Sequence, residues 1–73
     1  MTKPREFRSV QSSMMRGVAY DDAEEKLYIE FQDGRVWEYE SVPEEEYQAL
    51  LSSSSFGSFF HNNIKGQYPS RSV

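Results

Sequence analysis

"LYIEFQDGRVWEYESVPEEEY", residues 27–47, carries two alternating strand patterns around Asp33-Gly34 and then a helix start. Leu27, Ile29 and Phe31 alternate on the first pattern, and Trp37 and Tyr39 on the second. The length of the loop between them determines whether the two sets share a face. A two-residue turn at Asp33-Gly34 sets Phe31 opposite Val36 and sends Trp37 and Tyr39 to the far side. A three-residue loop, Gln32-Asp33-Gly34, is a type I turn closed by a left-handed glycine in a G1 bulge. It pairs Phe31 with Arg35, Ile29 with Trp37 and Leu27 with Tyr39, and gathers Glu30, Glu38 and Glu40 on the opposite face. A slip of one residue exchanges the faces wholesale. Segregating rings from glutamates therefore predicts the bulged turn, with Trp37 and Tyr39 buried on the covered face.

Upstream, Arg16 to Asp21 reads as a strand with Val18 and Tyr20 on one side and Ala19 on the other. Phe7 to Val10 is a weaker strand candidate, and "DDAEEK" is a polar connection. Downstream, "SVPEEEYQALLSS" has the marks of a helix. Ser41 and Glu44 fit a capping box, Pro43 sits where its missing N–H is harmless, and Glu44, Glu45 and Glu46 suit the positive end of the helix dipole. Tyr47, Leu50 and Leu51 form its apolar stripe. "SSFGSFFHNNIKGQYP" reads as a second helix, with Phe56, Phe59, Phe60 and Ile64 at helical spacing and Gly66 and Pro69 ending it. The fold class expected is α+β: a three-stranded antiparallel meander covered on one face by two C-terminal helices.

The chain has 73 residues, a formal charge of −4 and no cysteine, which bounds it to one small domain without disulfides. A core of this size contributes roughly 3–5 kcal/mol, so the eleven aromatic residues are needed mainly inside. The longest apolar runs are three residues, so neither a membrane span nor a signal-peptide core is expected. A cytoplasmic monomer follows as the expectation. Residues 1–16 carry four basic side chains against one acidic, whereas residues 17–64 carry two against eleven. An acidic middle repels phosphate, and the basic ends attract it. As a plain alternative, the acidic stretch is a solvated surface.

No catalytic or metal-binding pattern stands out. His61 is the single histidine, and no P-loop, dinucleotide-binding glycine motif, HExxH or CxxC occurs. Neither a cofactor, a metal nor an enzymatic activity is expected. "SSSSFGS" offers Ser55 and Gly57 at a helix start, a place that suits an anion and equally suits ordinary capping. Tyr20, Trp37, Tyr39 and Tyr68 beside Arg16 and Arg35 are a possible stacking platform for single strands, but the register assigns Trp37 and Tyr39 to the core.

"VQSSMMRGVAYD", "LYIEF-DG", "WEYESVP" followed by Tyr47, and "SSFGSFFHNNIKGQY" together resemble the KTSC domain over residues 10–68. That module ends some lysyl-tRNA synthetases and also stands alone in bacteria and phages. The family's central Tyr-x-Tyr is here Trp37-Glu38-Tyr39, and its Ser-x-Gly element falls on Ser55 and Gly57, with Asn63 and Tyr68 following. On this division residues 1–9 are a basic arm and 69–73 a tail. The resemblance implies a small non-catalytic binding module with RNA as the suggested partner. The alternative is a protein-interaction adaptor using a sheet edge or an exposed aromatic patch. The candidate binding residues are Ser12, Ser13, Arg16, Arg35, Ser55, Gly57, Asn63 and Tyr68.

Overall fold

The computed structural model describes residues 7–73, so the first six residues of the basic arm lie outside the described part. The α+β class stands, and the strand count is corrected from three to five. Strands β1 (Arg8–Ser9), β2 (Met15–Asp21), β3 (Lys26–Phe31), β4 (Val36–Tyr39) and β5 (Ser70–Ser72) lie in that order in one antiparallel sheet. Helices α1 (Glu44–Ser52) and α2 (Phe56–Phe59) fall between β4 and β5 in the chain. β1 falls inside the weaker candidate Phe7 to Val10 and β5 is new; both are edges, "RS" and "SRS", exposed throughout and without apolar alternation. They are held by backbone pairing, which leaves no periodic trace in sequence. The segment expected as a tail is thus part of the sheet.

The central hairpin has the expected register. Leu27 faces Tyr39 and Ile29 faces Trp37 across β3 and β4. The Phe31 amide donates to the Arg35 carbonyl at 2.8 Å, the Gly34 amide to the Phe31 carbonyl at 2.9 Å, and Gly34 takes φ +91°. These are the features of the three-residue loop with a left-handed glycine. A second bulge interrupts β2, where Met15 pairs with Phe31 and Gly17 with Glu30. Arg16 is the extra residue, which lets Met15 turn into the core while Arg16 stays exposed.

Met15, Val18, Leu27, Ile29, Tyr39, Val42, Leu50, Phe60 and Ile64 form the buried core. Tyr20, Phe31, Trp37, Tyr47, Leu51, Phe56 and Phe59 pack against it half-buried. Tyr20 stacks on Tyr47 with ring centroids 5.0 Å apart, and Phe60 meets Phe31 and Tyr39 edge-on at 5.6 and 5.7 Å. These contacts join the helical layer to the sheet. Ala19, on the other face as expected, is nonetheless buried.

Two local expectations are corrected. The capping box at Ser41 does not form: Pro43 is the N-cap of α1 and makes no side-chain cap bond. Ser41 instead adopts φ +62°, and the Val42 amide donates to the Glu25 carbonyl at 2.9 Å, which drives Val42 into the core. Tertiary burial of Val42 outweighs the local cap. The second helix also changes pitch. Phe60–Ile64 is a π-helical turn continuing α2, with the Lys65 amide donating to the Phe60 carbonyl at 2.8 Å.

Glu38 lies on the sheet face away from the helices, as the register requires, yet it is only 3% exposed. Arg71 on β5 is directly opposite it, with Arg71 Nε 3.0 Å and Lys26 Nζ 3.6 Å from its carboxylate. A charge this buried is tolerated because two cations and the Arg71 hydrogen bond replace water. The Arg71 pair fastens β5 onto β4, and the Lys26 pair ties β3 to β4.

Candidate functional site

β5 presents only serines to the helical side of the sheet, since Ser70 pairs with Tyr39 and Ser72 with Trp37. Nothing large stands above β4 at that edge. The result is a cavity of about 370 Å³ lined by Met14, Phe31, Trp37, Tyr39, Phe60, Lys65, Gly66 and Ser70. Such a volume is at the small end of the ~300–1,000 Å³ typical of ligand sites. Trp37 and Tyr39 come from alternate positions of β4, and Phe60, Lys65 and Gly66 from the π turn and the residues that follow it. Both rings of the Trp37-Glu38-Tyr39 element therefore line one pocket. Trp37 was expected to be buried. It is on the expected face but half-exposed, because the edge strand above it has no bulky side chain.

The walls are four aromatic rings and a methionine, and the polar groups are few. Tyr39 is 5% exposed, and among the described residues its hydroxyl has no hydrogen-bond partner. Burial alone pushes its phenol up to about 12 from the usual 10.0. Lys65 has no ion pair among the described residues. The Arg35 carbonyl accepts from the Phe31 amide at the hairpin end, and its exposed side chain is not among those lining the pocket.

The residues singled out from sequence are placed differently, and most are engaged by the fold. Ser12 Oγ accepts from the amides of Met14 and Met15 at 3.1 and 3.3 Å, which holds the turn entering β2. Gln32 Nε2 donates to the carbonyls of Ser12 and Met15, both at 3.0 Å, tying this turn to the hairpin loop. Ser13 is exposed. Arg16 donates to Glu30 at 3.5 Å and to the Gln32 carbonyl at 3.3 Å, and Arg35 is 3.7 Å from Asp33. Ser55 is the N-cap of α2 and accepts from the Ser58 amide at 3.3 Å. A Cβ added to Gly57 would meet only Met14 Cε, at an ordinary 3.7 Å, so packing does not demand glycine there. Asn63 Nδ2 donates back to the Phe59 carbonyl at 3.2 Å, and the Tyr68 hydroxyl donates to Glu46 at 3.1 Å. Arg16 and Ser12 share the β2 entry, whereas Tyr68 is tied to α1. The aromatic pocket was missed because its polar residues, Lys65 and Ser70, lie far from β4 in sequence.

The tyrosines predict an alkaline limit. Tyr20, Tyr39 and Tyr68 are all raised above 10.0, each first by burial. Between pH 10 and about 12 the unfolded chain releases a Tyr39 proton that the folded chain keeps, so stability falls as pH rises through this window. Lys26, raised first by Glu38, acts in the same direction, because its favourable charge is lost at high pH. Thermal melts across pH 8–12, a range chosen to bracket roughly the phenol titrations, should show melting temperature dropping above pH 10. Tyr39→Phe should soften that drop.

Comparison with known proteins establishes the family and the fold. The KTSC domain model matches residues 11–68. An uncharacterized protein of Stutzerimonas stutzeri is 40% identical over 60 residues, covering 82% of this chain and 84% of that protein. A lysine–tRNA ligase of Nostoc is 33% identical over 58 residues, which span 80% of this chain and 10% of the ligase. The crystal structure of a KTSC domain protein from Yersinia pestis superposes with a TM-score of 0.92 at 31% identity, over 96% of this chain and 99% of that one. With the match spanning most of its length and the fold shared from β1 to β5, this chain belongs to the KTSC domain family.

Proposed function

We propose that this protein is a non-catalytic binding module, that the pocket above β4 is its binding site, and that its partner is single-stranded RNA. The observation that carries this is the pairing of Trp37 and Tyr39 in one open aromatic pocket. Rings at such a site stack on unpaired bases, each contact contributing about 1–3 kcal/mol. Lysine–tRNA ligases that carry a similar segment lend support by the company the domain keeps. With a net charge of −4 the surface does not favour a long phosphate track, so the contact is led by bases and spans few nucleotides. The described residues include no group of three or more His, Asp or Glu placed to hold a metal ion, and among them no helix is long and apolar enough to cross a membrane. The adaptor reading draws on β5, whose residues are all exposed at the sheet edge.

Titration with short single-stranded RNA tests the proposal. Binding should quench Trp37 emission and shift the amides of Phe31, Trp37, Tyr39, Phe60 and Lys65. Affinity should fall with salt at a log-log slope of roughly −0.7 for each phosphate engaged. If those amides stay still at low salt, RNA is not the partner. A protein partner whose binding ignores salt would then favour the adaptor.

A further inference from the structure

Buried tyrosine hydroxyls ordinarily find a partner. Two of the tyrosines here do: Tyr20 donates to the Val42 carbonyl and Tyr68 to Glu46. Tyr39 is the exception. The Tyr39 ring is more deeply buried than either, but its hydroxyl has no protein partner among the described residues, is not sealed from solvent, and lines the pocket. The Trp37 indole N–H in the same pocket likewise has none. Lys65 adds an ammonium group without a counter-ion among the described residues. Flat walls, a solvent-reachable hydroxyl without a protein partner and a cation without a counter-ion among the described residues define a ligand with a planar ring, a hydrogen-bonding edge and a negative charge close by. A cationic ligand would meet Lys65 unfavourably, and a purely aliphatic one would leave the hydroxyl unpaired.

We propose that Tyr39 is the specificity-determining residue of this pocket, which takes one nucleotide with its base edge hydrogen-bonded to the Tyr39 hydroxyl and its phosphate against Lys65. This rests on the pocket being the binding site, as proposed above. The ring stacks against the aromatic walls, the hydroxyl selects bases that present a partner at the matching edge, and Lys65 supplies charge. The phenol remains protonated at neutral pH, so it is available both to donate and to accept.

The test uses the whole chain, with uridine and adenosine 5′-monophosphates, the two uncharged nucleosides and a short single-stranded RNA as probes, each followed by Trp37 emission and amide shifts. Tyr39→Phe removes one oxygen and keeps the ring, so the fold should hold, and thermal melting at neutral pH checks this. Affinity for the preferred monophosphate should drop about tenfold or more in Tyr39→Phe, the loss expected for one buried hydrogen bond. Lys65→Ala should weaken the monophosphate and leave the nucleoside unchanged. If RNA binds the pocket and Tyr39→Phe binds it equally well, the assignment of Tyr39 is overturned while the RNA reading stands. If monophosphates bind with the expected Tyr39 and Lys65 dependence and RNA does not, the assignment stands and the RNA reading falls. If no probe moves Trp37 or its neighbours, both fall.

Discussion

Leu50→Ala should cost about 2–5 kcal/mol and leave the domain close to unfolding at room temperature. Leu50 is the one fully buried residue of α1, with 0% exposure, while Tyr47 and Leu51 are only half-buried beside it. Truncating it opens a cavity under the helix that the sheet, held by its ladder of hydrogen bonds, cannot collapse to fill. A 73-residue domain has a total stability of roughly 4–11 kcal/mol, so this single loss is a large share of it. Urea unfolding followed by circular dichroism measures the change. Gln48→Ala, on the exposed side of the same helix, is the control and should stay within about 0.5 kcal/mol of the parent. A loss at Leu50 no greater than at Gln48 would mean that α1 is not docked on the sheet as described.

The parts of this fold legible in sequence are those decided by neighbours along the chain. Loop length at Asp33-Gly34 and the alternation on either side leave one register that parts rings from glutamates, and Leu27 does face Tyr39. Helical spacing located Leu50, Phe60 and Ile64 in the core. What escaped depends on distant segments. β5 is a short polar edge that becomes a strand only because β4 offers it free backbone groups, and β1 is legible only as the weak candidate Phe7 to Val10. Val42 lies between Ser41 and Pro43, and its burial against the sheet forces Ser41 into a left-handed turn and removes the cap.

The site illustrates the same division. Ser12, Arg16 and Ser55 carry recognisable chemistry, but their hydrogen bonds go to Met14, Gln32 and Ser58, so the fold itself uses them. Alternation puts Trp37 and Tyr39 on the right face and favours core over a stacking platform for them. Their pocket exists because Ser70 and Ser72 are too small to cover it, and that pairing spans more than thirty residues of chain. A missing side chain on an edge strand has no signature in a periodic pattern.

Gly34→Val should destabilise the domain by about 1–3 kcal/mol, and by a mechanism that leaves the surroundings untouched. Gly34 has φ +91°, and an added Cβ there would meet nothing within 4 Å. Steric contact with neighbouring groups therefore contributes nothing, and the whole cost is the β-branched side chain forced into left-handed backbone. The chain has one route around that strain, which is to shorten the loop to two residues. That route slips β4 by one position and turns Trp37 and Tyr39 to the face where Glu30 lies, while Glu38 enters the core. Burying Glu38 away from Lys26 and Arg71 costs more than the strain, so the variant should keep its register and simply be less stable. Asparagine tolerates left-handed backbone, and Gly34→Asn should lose less than Gly34→Val. Melting temperatures of the two variants give the order, and amide spectra show whether the residues around Trp37 keep their environment. If the valine variant melts with the parent, the left-handed loop is wrong and the register it sets fails with it. If it melts lower with the Trp37 environment intact, the bulged turn and the face it assigns to the pocket are confirmed together.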